Sequence, residues 1–379
     1  MTHRGGLLLA FPAWLMAVAI FAAAHAATVQ VEEGGSIQAA LEAAGQGDVI
    51  EVESGVYRES LNVTEQIILK GKGLPLIDAG AGRNGITLFA DSVVVSGFDV
   101  KSSRKTGIEV LSSGNLLENC SVHGCADGIR LQGSGNTLVL NNVSNNTNGI
   151  SLIRSNNNII KYNDINYNTG EGSDCGIFLV SSRGNMISHN NLAENGDCAI
   201  SLRSSGNNTV LANNISGDDW YGISLEEFSN GNLIADNHAQ ANVHAGIYLD
   251  SSRGNALLGN VAQENGRGLF LSYDSNDNLV KGNTVLDNDK GIHLAYHSSN
   301  NTIKDNVVVG NQYGIYLTFS SGWNSIFNNR LIGNLYNAYD MGLYNHWDNG
   351  SVGNYYSDLG SVVYIPGGAG VDRHPLSEG

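Results

Sequence analysis

Residues 291–317 read GIHLAYHSSNNTIKDNVVVGNQYGIYL, and this stretch holds one full period of a repeat. It begins and ends on the motif Gly-Ile-x-Leu. The motif or a close variant starts about every 23 residues, at Gly85, Gly107, Gly128, Gly149, Gly176, Ala199, Gly222, Gly246, Gly268, Gly291 and Gly314. A fixed period of this size predicts one stacked supersecondary unit per repeat.

Three columns of asparagine accompany the motif, and in the quoted stretch they fall at Asn301, Asn306 and Asn311. Between them lie short alternating apolar runs such as residues 302–304, which are typical of half-buried strands. Asparagine suits corners because it tolerates the left-handed backbone conformation. Its amide also donates and accepts, so identical asparagines in stacked coils are expected to form ladders.

A unit of 23 residues is too short for a helix together with strands, whereas several short strands and polar corners fit within it. Stacked coils pair each strand with its copy about 4.8 Å away. The repeat therefore predicts an all-β fold, a single-stranded parallel β-helix of about 12 coils of 21–27 residues. We divide the chain into a signal peptide (1–27), an N-terminal cap with the first coils (28–80), the repeats (81–340) and a C-terminal cap (341–379). A short capping helix is expected after Ser36, a plausible N-cap.

The N-terminus has the pattern of a secretory signal. His3 and Arg4 precede an apolar run at 7–24, and residues 24–26 read AHA, which is a cleavage motif. A retained membrane anchor is the alternative, but Pro12 and many alanines favour cleavage. We expect a secreted, periplasmic or cell-surface protein whose mature chain has no integral membrane segment.

The charge balance restricts the partners. The chain carries 20 basic and 36 acidic residues, for a net charge of −16. An acidic rod repels nucleic acid and anionic lipid, so neither is expected to bind.

The four cysteines fall into two pairs. Cys175 and Cys198 each directly precede the glycine or alanine of the repeat, so they should stack in neighbouring coils at a separation compatible with a disulfide. A reduced, buried pair is the alternative. Cys120 and Cys125 flank a single corner and are the second candidate pair.

The outward-facing columns predict a glycan groove. In Gly-Ile-x-Leu the Ile and Leu point inward and x points outward, and the later copies make x an exposed aromatic stripe whose rings suit sugar faces. The neighbouring outward column adds charged residues. The candidate glycan-binding residues are Arg203, Glu226, Tyr248, Asp250, Phe270, His293 and Tyr316. Stacked aromatics that only stiffen neighbouring strands are the alternative.

A second cluster precedes the same strand on successive coils. Stacked carboxylates can divide acid and base or nucleophile roles because like charges separate their pKa values, and an Arg could hold the carboxylate of an acidic sugar. The candidate catalytic residues are Asp174, Asp197, Asp218, Asp219, His244 and Arg267. The alternative is that aspartates at glycine-rich corners are turn residues.

Both ends of the chain resemble known families. Residues 36–73, SIQAALEAAGQGDVIEVESGVYRESLNVTEQIILKGKG, resemble the N-terminal cap of pectin-lyase-like β-helix proteins, and the repeats resemble the PbH1 repeats of the carbohydrate-binding and sugar-hydrolase (CASH) group. The strings WDNGSVGNYYSD (347–358) and IPGGAGVDRHPL (365–376) are similar to the ending of NosD-like proteins, especially archaeal cell-surface ones. The resemblance implies a right-handed β-helix, in agreement with the crossover rule.

The catalytic cluster also resembles polygalacturonases in the order Asp, Asp-Asp, His, basic residue. The strings NGDCAI (195–200) and GDDW (217–220) are similar to parts of their motifs, but Gly-His-Gly and Arg-Ile-Lys do not occur. The NosD resemblance implies a part in copper-enzyme maturation, yet soft ligands are nearly absent, with Met186 and Met341 the only methionines after the signal. Two histidines at 293 and 297 make a weak metal signal.

Three functions follow from these observations. The first is a monomeric envelope protein that binds polysaccharide along the aromatic stripe. The second is a polysaccharide hydrolase or lyase that acts on acidic glycans through the aspartate cluster. The third is a NosD-like periplasmic accessory protein for copper-enzyme maturation. We assign no cofactor and no metal ligands; calcium would suit acidic corners, but no ligand set specifies it.

Overall fold

The computed structural model describes residues 26–102, 104–170, 174–358 and 362–377. Residues 1–25, with nearly all of the proposed signal peptide, lie outside this part. The helix that we expected after Ser36 is found at Ile37–Ala43, and the Ser36 hydroxyl accepts a hydrogen bond from the Ala39 N–H at 3.1 Å. Within the described residues, no helix has the length and apolar character needed to cross a membrane.

The strands form three long parallel sheets, and each regular coil gives one strand to sheet A, then one to sheet B, then one to sheet C. Sheet A consists of Thr28–Val31, Val49–Val52, Ile68–Gly71, Val94–Ser96, Leu116–Glu118, Thr137–Val139, Ile159–Lys161, Met186–Ser188, Thr209–Leu211, Leu233–Ala235, Ala256–Leu258, Leu279–Lys281, Thr302–Lys304 and Ser325–Phe327. Sheet B consists of Val56–Tyr57, Leu76–Asp78, Asp99–Lys101, Ser121–His123, Asn142–Ser144, Asp164–Asn166, Asn191–Ala193, Asn214–Ser216, His238–Gln240, Val261–Gln263, Thr284–Leu286, Val307–Val309, Arg330–Ile332 and Tyr355–Tyr356.

Sheet C contains the Gly-Ile-x-Leu strands. Its members are Leu61–Val63, Ile86–Leu88, Ile108–Val110, Asp127–Leu131, Asn148–Ile153, Cys175–Val180, Cys198–Arg203, Tyr221–Glu226, Ala245–Asp250, Arg267–Ser272, Lys290–Leu294, Tyr313–Leu317 and Tyr336–Asp340. A two-stranded antiparallel sheet, Val363–Tyr364 with Val371–Asp372, follows near the C-terminus.

The predicted right-handed parallel β-helix is confirmed, with a small difference in the number of coils. Sheets A and B each have 14 strands, against the 12 coils expected. The difference arises because the first coils, which start at Thr28–Val31 and Val49–Val52, lack the Gly-Ile-x-Leu motif from which the count was made.

The core is a continuous column of aliphatic side chains inside the coils. The motif Ile and Leu point inward as predicted; for example, Ile247 pairs in register with Leu269, and both are fully buried. The motif glycine is needed because neighbouring coils approach closely there. A Cβ on Gly246 would lie 2.9 Å from the carbonyl oxygen of Gly268, so a side chain would force the coils apart.

The asparagine columns form three buried ladders, as predicted. The first ladder, between sheets C and A, consists of Asn115, Asn136, Asn158, Asn185, Asn208, Asn232, Asn255, Asn278, Asn301, Asn324 and Asn345. The second ladder, between sheets A and B, consists of Asn141, Asn163, Asn190, Asn213, Asn237, Asn260, Asn283, Asn306, Asn329 and Asn354. The third ladder, between sheets B and C, consists of Asn146, Asn168, Asn195, Asp218, Asn242, Asn265, Asn288, Asn311 and Asn334.

One typical rung shows how each buried amide is satisfied. The Asn237 side-chain amide donates to Asn260 Oδ1 at 3.0 Å and to the Val210 carbonyl at 2.9 Å, and Asn237 Oδ1 accepts from Asn213. Our expectation that these asparagines adopt the left-handed conformation is wrong. In the second ladder the left-handed conformation is adopted by the residue before the asparagine, as at Leu140 (φ 57°) and Tyr162 (φ 56°), because the asparagine side chain must turn inward.

Candidate functional site

A cavity of about 330 Å³ opens on sheet C near the middle of the rod. Three consecutive strands form it, Cys175–Val180, Cys198–Arg203 and Tyr221–Glu226. Its lining residues are Cys175, Phe178, Asp197, Cys198, Ser201, Arg203, Trp220, Tyr221 and Glu226. The volume lies at the lower end of the range of small-molecule pockets in proteins.

The cavity exists because the outward column of sheet C loses two aromatic rings. Register places Phe178 beside Ser201, Ser201 beside Ser224, and Ser224 beside Tyr248. Phe178 and Tyr248 are thus three coils apart, about 14 Å along the axis. The two serines between them are small and bond to each other at 3.0 Å. Tyr221 covers part of the gap by stacking on Tyr248 with ring centroids 4.4 Å apart.

Beyond the gap the aromatic column is packed ring on ring. Phe270 stacks on His293 at 4.7 Å, and His293 stacks on Tyr316 at 5.0 Å. The expectation that this stripe is exposed is wrong for Tyr248, Phe270 and His293, of which only 7%, 6% and 5% is exposed. Rings spaced by about one coil cover each other's faces, so the stacking agrees with the alternative that these rings stiffen the sheet.

Asp197 lines the cavity, and Asp174 lies next to it on the preceding coil. Asp174 and Asp197 directly precede the register pair Cys175–Cys198. The Asp174 carboxylate is nearly buried and accepts from the Gly170 N–H at 2.6 Å. Partial burial raises the pKa of Asp197, and the charges of Asp174 and Asp219 raise it further. Asp197 therefore holds a proton more readily than an ordinary carboxyl group.

Asp218 is separated from these carboxylates because it points into the core. It occupies a rung of the third ladder, is fully buried, and its Oδ1 accepts from the Asn195 N–H at 3.0 Å. Its Oδ2 has no hydrogen-bond partner. In the next rung the equivalent atom is the side-chain nitrogen of Asn242, which donates to Asn265 Oδ1. Burial raises the pKa of Asp218 well above its ordinary range. A protonated carboxyl group is the form that fits the ladder.

The rim of the cavity holds an ion pair. Arg203 lies 3.5 Å from Glu226 and 3.5 Å from Glu227, and its guanidinium is 5.6 Å from the Phe178 ring centroid. The predicted glycan-binding residues Arg203 and Glu226 thus lie together at the cavity. Asp250 lies farther along sheet C, where it accepts from the Tyr248 hydroxyl at 3.1 Å.

Trp220 and Tyr221 line the cavity, and the sequence analysis did not select either one. Trp220 lies beside Asp197 of the preceding coil and His244 of the following coil, and its ring centroid lies 5.4 Å from that of His244. Half of Trp220 is exposed. The available signal was a tryptophan directly before a sheet C strand, at a place where its neighbours in register are polar.

Arg267 and the histidines form the next part of the same face. Arg267 Nε donates to His293 Nδ1 at 3.3 Å, and Arg267 NH1 lies 3.4 Å from His244 Nε2. The guanidinium carbon lies 4.7 Å from the Phe270 ring centroid. The predicted pair His244 and Arg267 is therefore brought together, two and three coils beyond Asp197.

All four cysteines are buried, and none of them forms a disulfide. Cys175 and Cys198 pair in register, as expected, and form part of the cavity wall. Cys120 and Cys125 do not flank a single corner. They lie at opposite ends of the strand Ser121–His123 and accompany the second and third ladders, so the structure does not support pairing between them.

Taken together, the coils define a parallel β-helix repeat protein with a polar cavity bordered by aromatic side chains. The chain belongs to the NosD family, described as periplasmic copper-binding protein (NosD), whose model matches residues 56–238 and 213–361. No curated protein matches the sequence.

Solved structures share the fold at low identity. The A-module of the mannuronan C-5 epimerase AlgE6 from Azotobacter vinelandii has a TM-score of 0.58 at 15% identity, over 82% of this chain and 93% of that module. The PL6 family polysaccharide lyase Pedsa3628 from Pseudopedobacter saltans has a TM-score of 0.57 at 16% identity, over 74% and 84%. The Dettilon tailspike protein has a TM-score of 0.57 at 15% identity, over 77% of this chain and 60% of the tailspike. These likenesses concern the fold alone.

The family description raises the question whether the residues present suit copper, which prefers thiolate, thioether and imidazole ligands. The hydrogen bond with Cys198 and burial raise the pKa of Cys175 well above its ordinary value, which disfavours the thiolate. His244 and His293 lie beside the cation Arg267, which repels a metal ion. Across the described ranges, no group of three or more His, Cys, Asp or Glu side chains could hold a metal. The donor set does not fit copper, and no step is assigned to it.

Proposed function

We propose that this protein binds a polysaccharide along sheet C, with a sugar ring seated in the cavity between Phe178 and Tyr248. The observation that carries the proposal is the gap in the aromatic column. Elsewhere on this face the rings cover each other, whereas at the gap the half-exposed Trp220 borders a space that no side chain fills.

The lining has the chemistry that sugar recognition requires. Trp220 and Phe178 offer apolar surface for the C–H face of a pyranose ring. Arg203, Glu226 and Asp197 surround it with charged donors and acceptors for hydroxyl groups. Arg203 is already held by Glu226 and Glu227, so less side-chain entropy is lost when a ligand binds.

The location that we propose is the periplasm or cell surface. The family description names the periplasm, and the N-terminal sequence has the pattern of a signal peptide. The proposal is also compatible with structural neighbours that are named as a mannuronan epimerase and a polysaccharide lyase, although their likeness concerns the fold.

The test compares two exposed tryptophans. Trp220 and Trp323 are 50% and 57% exposed, but Trp323 lies several coils away and stacks on Tyr344. We expect Trp220→Ala to weaken binding to a polysaccharide panel at least about ten-fold, while Trp323→Ala leaves it unchanged. Calorimetric titration of both variants measures the effect. Equal affinity in wild type and Trp220→Ala would overturn the proposal.

A second candidate is cleavage of the bound glycan, which the raised pKa of Asp197 beside two other carboxyl groups favours. A carboxyl group that holds its proton is suited to general acid catalysis, and an ionised neighbour is suited to the complementary role. Glycan chain length after incubation tests this function. Asp197→Asn and Asp219→Asn should each abolish shortening with the fold retained, and shortening that persists in both would remove this site from consideration.

A further inference from the structure

We infer that the coils beyond the cavity form a receptor for a carboxylate, built from Arg267, Lys290 and His244, and that the bound polysaccharide is therefore a polyuronate. The inference rests on the proposed glycan binding and names its substrate class. It is carried by a pair of cations that the protein positions and does not neutralise.

Arg267 is held in place from three sides. Its Nε–H donates to His293 Nδ1, its NH1 donates to His244 Nε2, and its guanidinium lies over Phe270. A guanidinium carries five N–H donors, so these contacts fix its plane and leave other N–H groups free. A guanidinium held in one orientation is suited to bidentate binding of a carboxylate.

The two histidines position Arg267 without neutralising it. Because Arg267 can only donate, His293 Nδ1 must accept, and His293 Nε2 then donates to Thr318 Oγ1 at 3.2 Å. Burial, followed by the charges of Arg267 and Lys290, lowers the pKa of His293 to about 3. The imidazole is therefore neutral, and the positive charge of Arg267 remains available to a ligand.

Lys290 places a second positive charge beside the first. Arg267 and Lys290 are register partners on adjacent strands, and burial and the charge of Arg267 lower the pKa of Lys290. Within the described part of the chain, neither side chain belongs to an ion pair. The charge of the neighbouring Asp289 acts on the pKa of Lys290 in the opposite direction. Arg203 on the same sheet, by contrast, is paired with two glutamates.

This arrangement is costly without a ligand. Two like charges on adjacent coils repel each other, in a chain whose net charge of −16 offers many carboxylates. His244 contributes by positioning the cation, because its Nε2 accepts from Arg267 and its buried Nδ1 then carries the proton. An anionic oxygen beside Arg267 would reduce the repulsion.

The receptor lies in line with the cavity. Arg267 is two coils beyond Tyr221, about 10 Å along the axis, and the rings of Trp220 and His244 connect the two places. An extended glycan parallel to the rod would therefore contact Trp220 with one residue and Arg267 with the carboxylate of a later one. A sulfate ester offers similar anionic oxygens, and the test must separate the two groups.

The experiment uses the full mature chain with a free uronate and three polymers, namely a polyuronate, the same polymer after reduction of its carboxyl groups, and a sulfated neutral polysaccharide. We expect the polyuronate to bind at least about ten-fold more tightly than its reduced form. Arg267→Gln should abolish this preference and Lys290→Gln should reduce it. Arg253→Gln, at an exposed arginine outside sheet C, is the matched control and should keep the preference.

The outcomes separate this inference from the proposed function. Equal binding of both polymers, with dependence on Trp220 retained, would overturn the carboxylate receptor and leave polysaccharide binding in place. Binding of free uronate that depends on Arg267, with no polymer bound, would support the receptor and overturn the polysaccharide. Tighter binding of the sulfated polymer through Arg267 would overturn the carboxylate assignment. Circular dichroism of Arg267→Gln, with unchanged thermal unfolding, shows that the variant is folded.

Discussion

The second and third ladders have the same chemistry and differ at one rung. The second ladder is asparagine in every rung from Asn141 to Asn354, whereas the third carries Asp218 in place of asparagine. The substitution falls on the coil that contributes Trp220 and Tyr221 to the cavity. The second ladder shows that the fold favours asparagine in each rung. The third ladder departs from asparagine at Asp218, and this rung lies beside the candidate site.

The largest effect should come from breaking the uniform ladder. Asn237→Ala leaves both the backbone N–H and the side-chain amide of Asn213 without their acceptor, and each buried unpaired group costs about 1–3 kcal/mol. We expect the free energy of unfolding to fall by about 3–5 kcal/mol, measured by urea denaturation. The exposed pair Asn214 and Asn191 provides the control, and Asn214→Ala should change stability by less than about 0.5 kcal/mol. Similar losses in both variants would show that the ladder is not a stabilising element.

We expect the free energy of unfolding to rise when the third ladder is made uniform. Asp218→Asn places a neutral amide donor where the carboxyl group must hold a proton to donate from Oδ2, and we expect a gain of about 1–3 kcal/mol at pH 7. The pKa of Asp218 is raised in the folded state, so its stabilising contribution is fully present below the unfolded pKa of about 3.9 and is lost as pH rises toward the folded pKa. The variant should lack this loss of stability, while Asp219→Asn, at the exposed neighbour, should retain it. Unfolding curves at pH 4 and pH 8 give the measurement; a variant less stable than wild type at pH 8 would contradict the protonated rung.

A substitution in the gap of the aromatic column should change stability less than the ladder variants do and should strongly weaken glycan binding. Ser201→Phe would place a ring in the cavity, where register continues the column from Phe178. Glycan affinity should fall at least about ten-fold, and the free energy of unfolding should change by less than about 1.5 kcal/mol because the ring enters open space. Ser201→Ala removes only the hydroxyl and should bind as wild type does. Binding retained in Ser201→Phe would mean that the cavity is not the site.

The smallest effect concerns the cysteines. Burial raises the pKa of Cys120 and of Cys125 to about 11, and all four thiols are at most 5% exposed. A thiol reagent at pH 8 should therefore modify none of them in the native protein and all of them after unfolding in denaturant. Rapid native labelling of Cys175 or Cys198 would show that the wall of the cavity opens in solution.

Much of the fold could be predicted from the sequence because the repeat period and the asparagine ladders each depend on one residue type that recurs at one spacing. The motif at Gly246 and Gly268 and the rungs Asn237 and Asn260 each repeat one residue type at one spacing, and stacking of identical coils follows from that repetition. The number of coils was underestimated because the first coils hold their strands without the motif.

The candidate site was only partly predictable because the cavity depends on how side chains from different columns of the repeat lie beside each other. The adjacency of Arg203 and Glu226 could be derived from the sequence, since they lie one coil apart in a single column, and their glycan-binding role stays a prediction. The gap that makes the cavity is an absence of rings at Ser201 and Ser224, and a search for aromatic residues passes over it. Asp218 was placed with the outward aspartates, although its alignment with Asn242 in the third column was available and indicates an inward side chain.

The hydrogen bonds of the ladders make the length of the rod an adjustable quantity. An asparagine rung inside a ladder accepts from a neighbour on one side and donates to a neighbour on the other, as Asn260 does between Asn237 and Asn283. A duplicated coil of 23 residues could be inserted between identical rungs, and each new partner would be chemically the same as the old one. Gene duplication could thus change the spacing between the cavity and the C-terminal cap in steps of one coil, and the protein would behave as a molecular ruler whose length evolves independently of its binding chemistry.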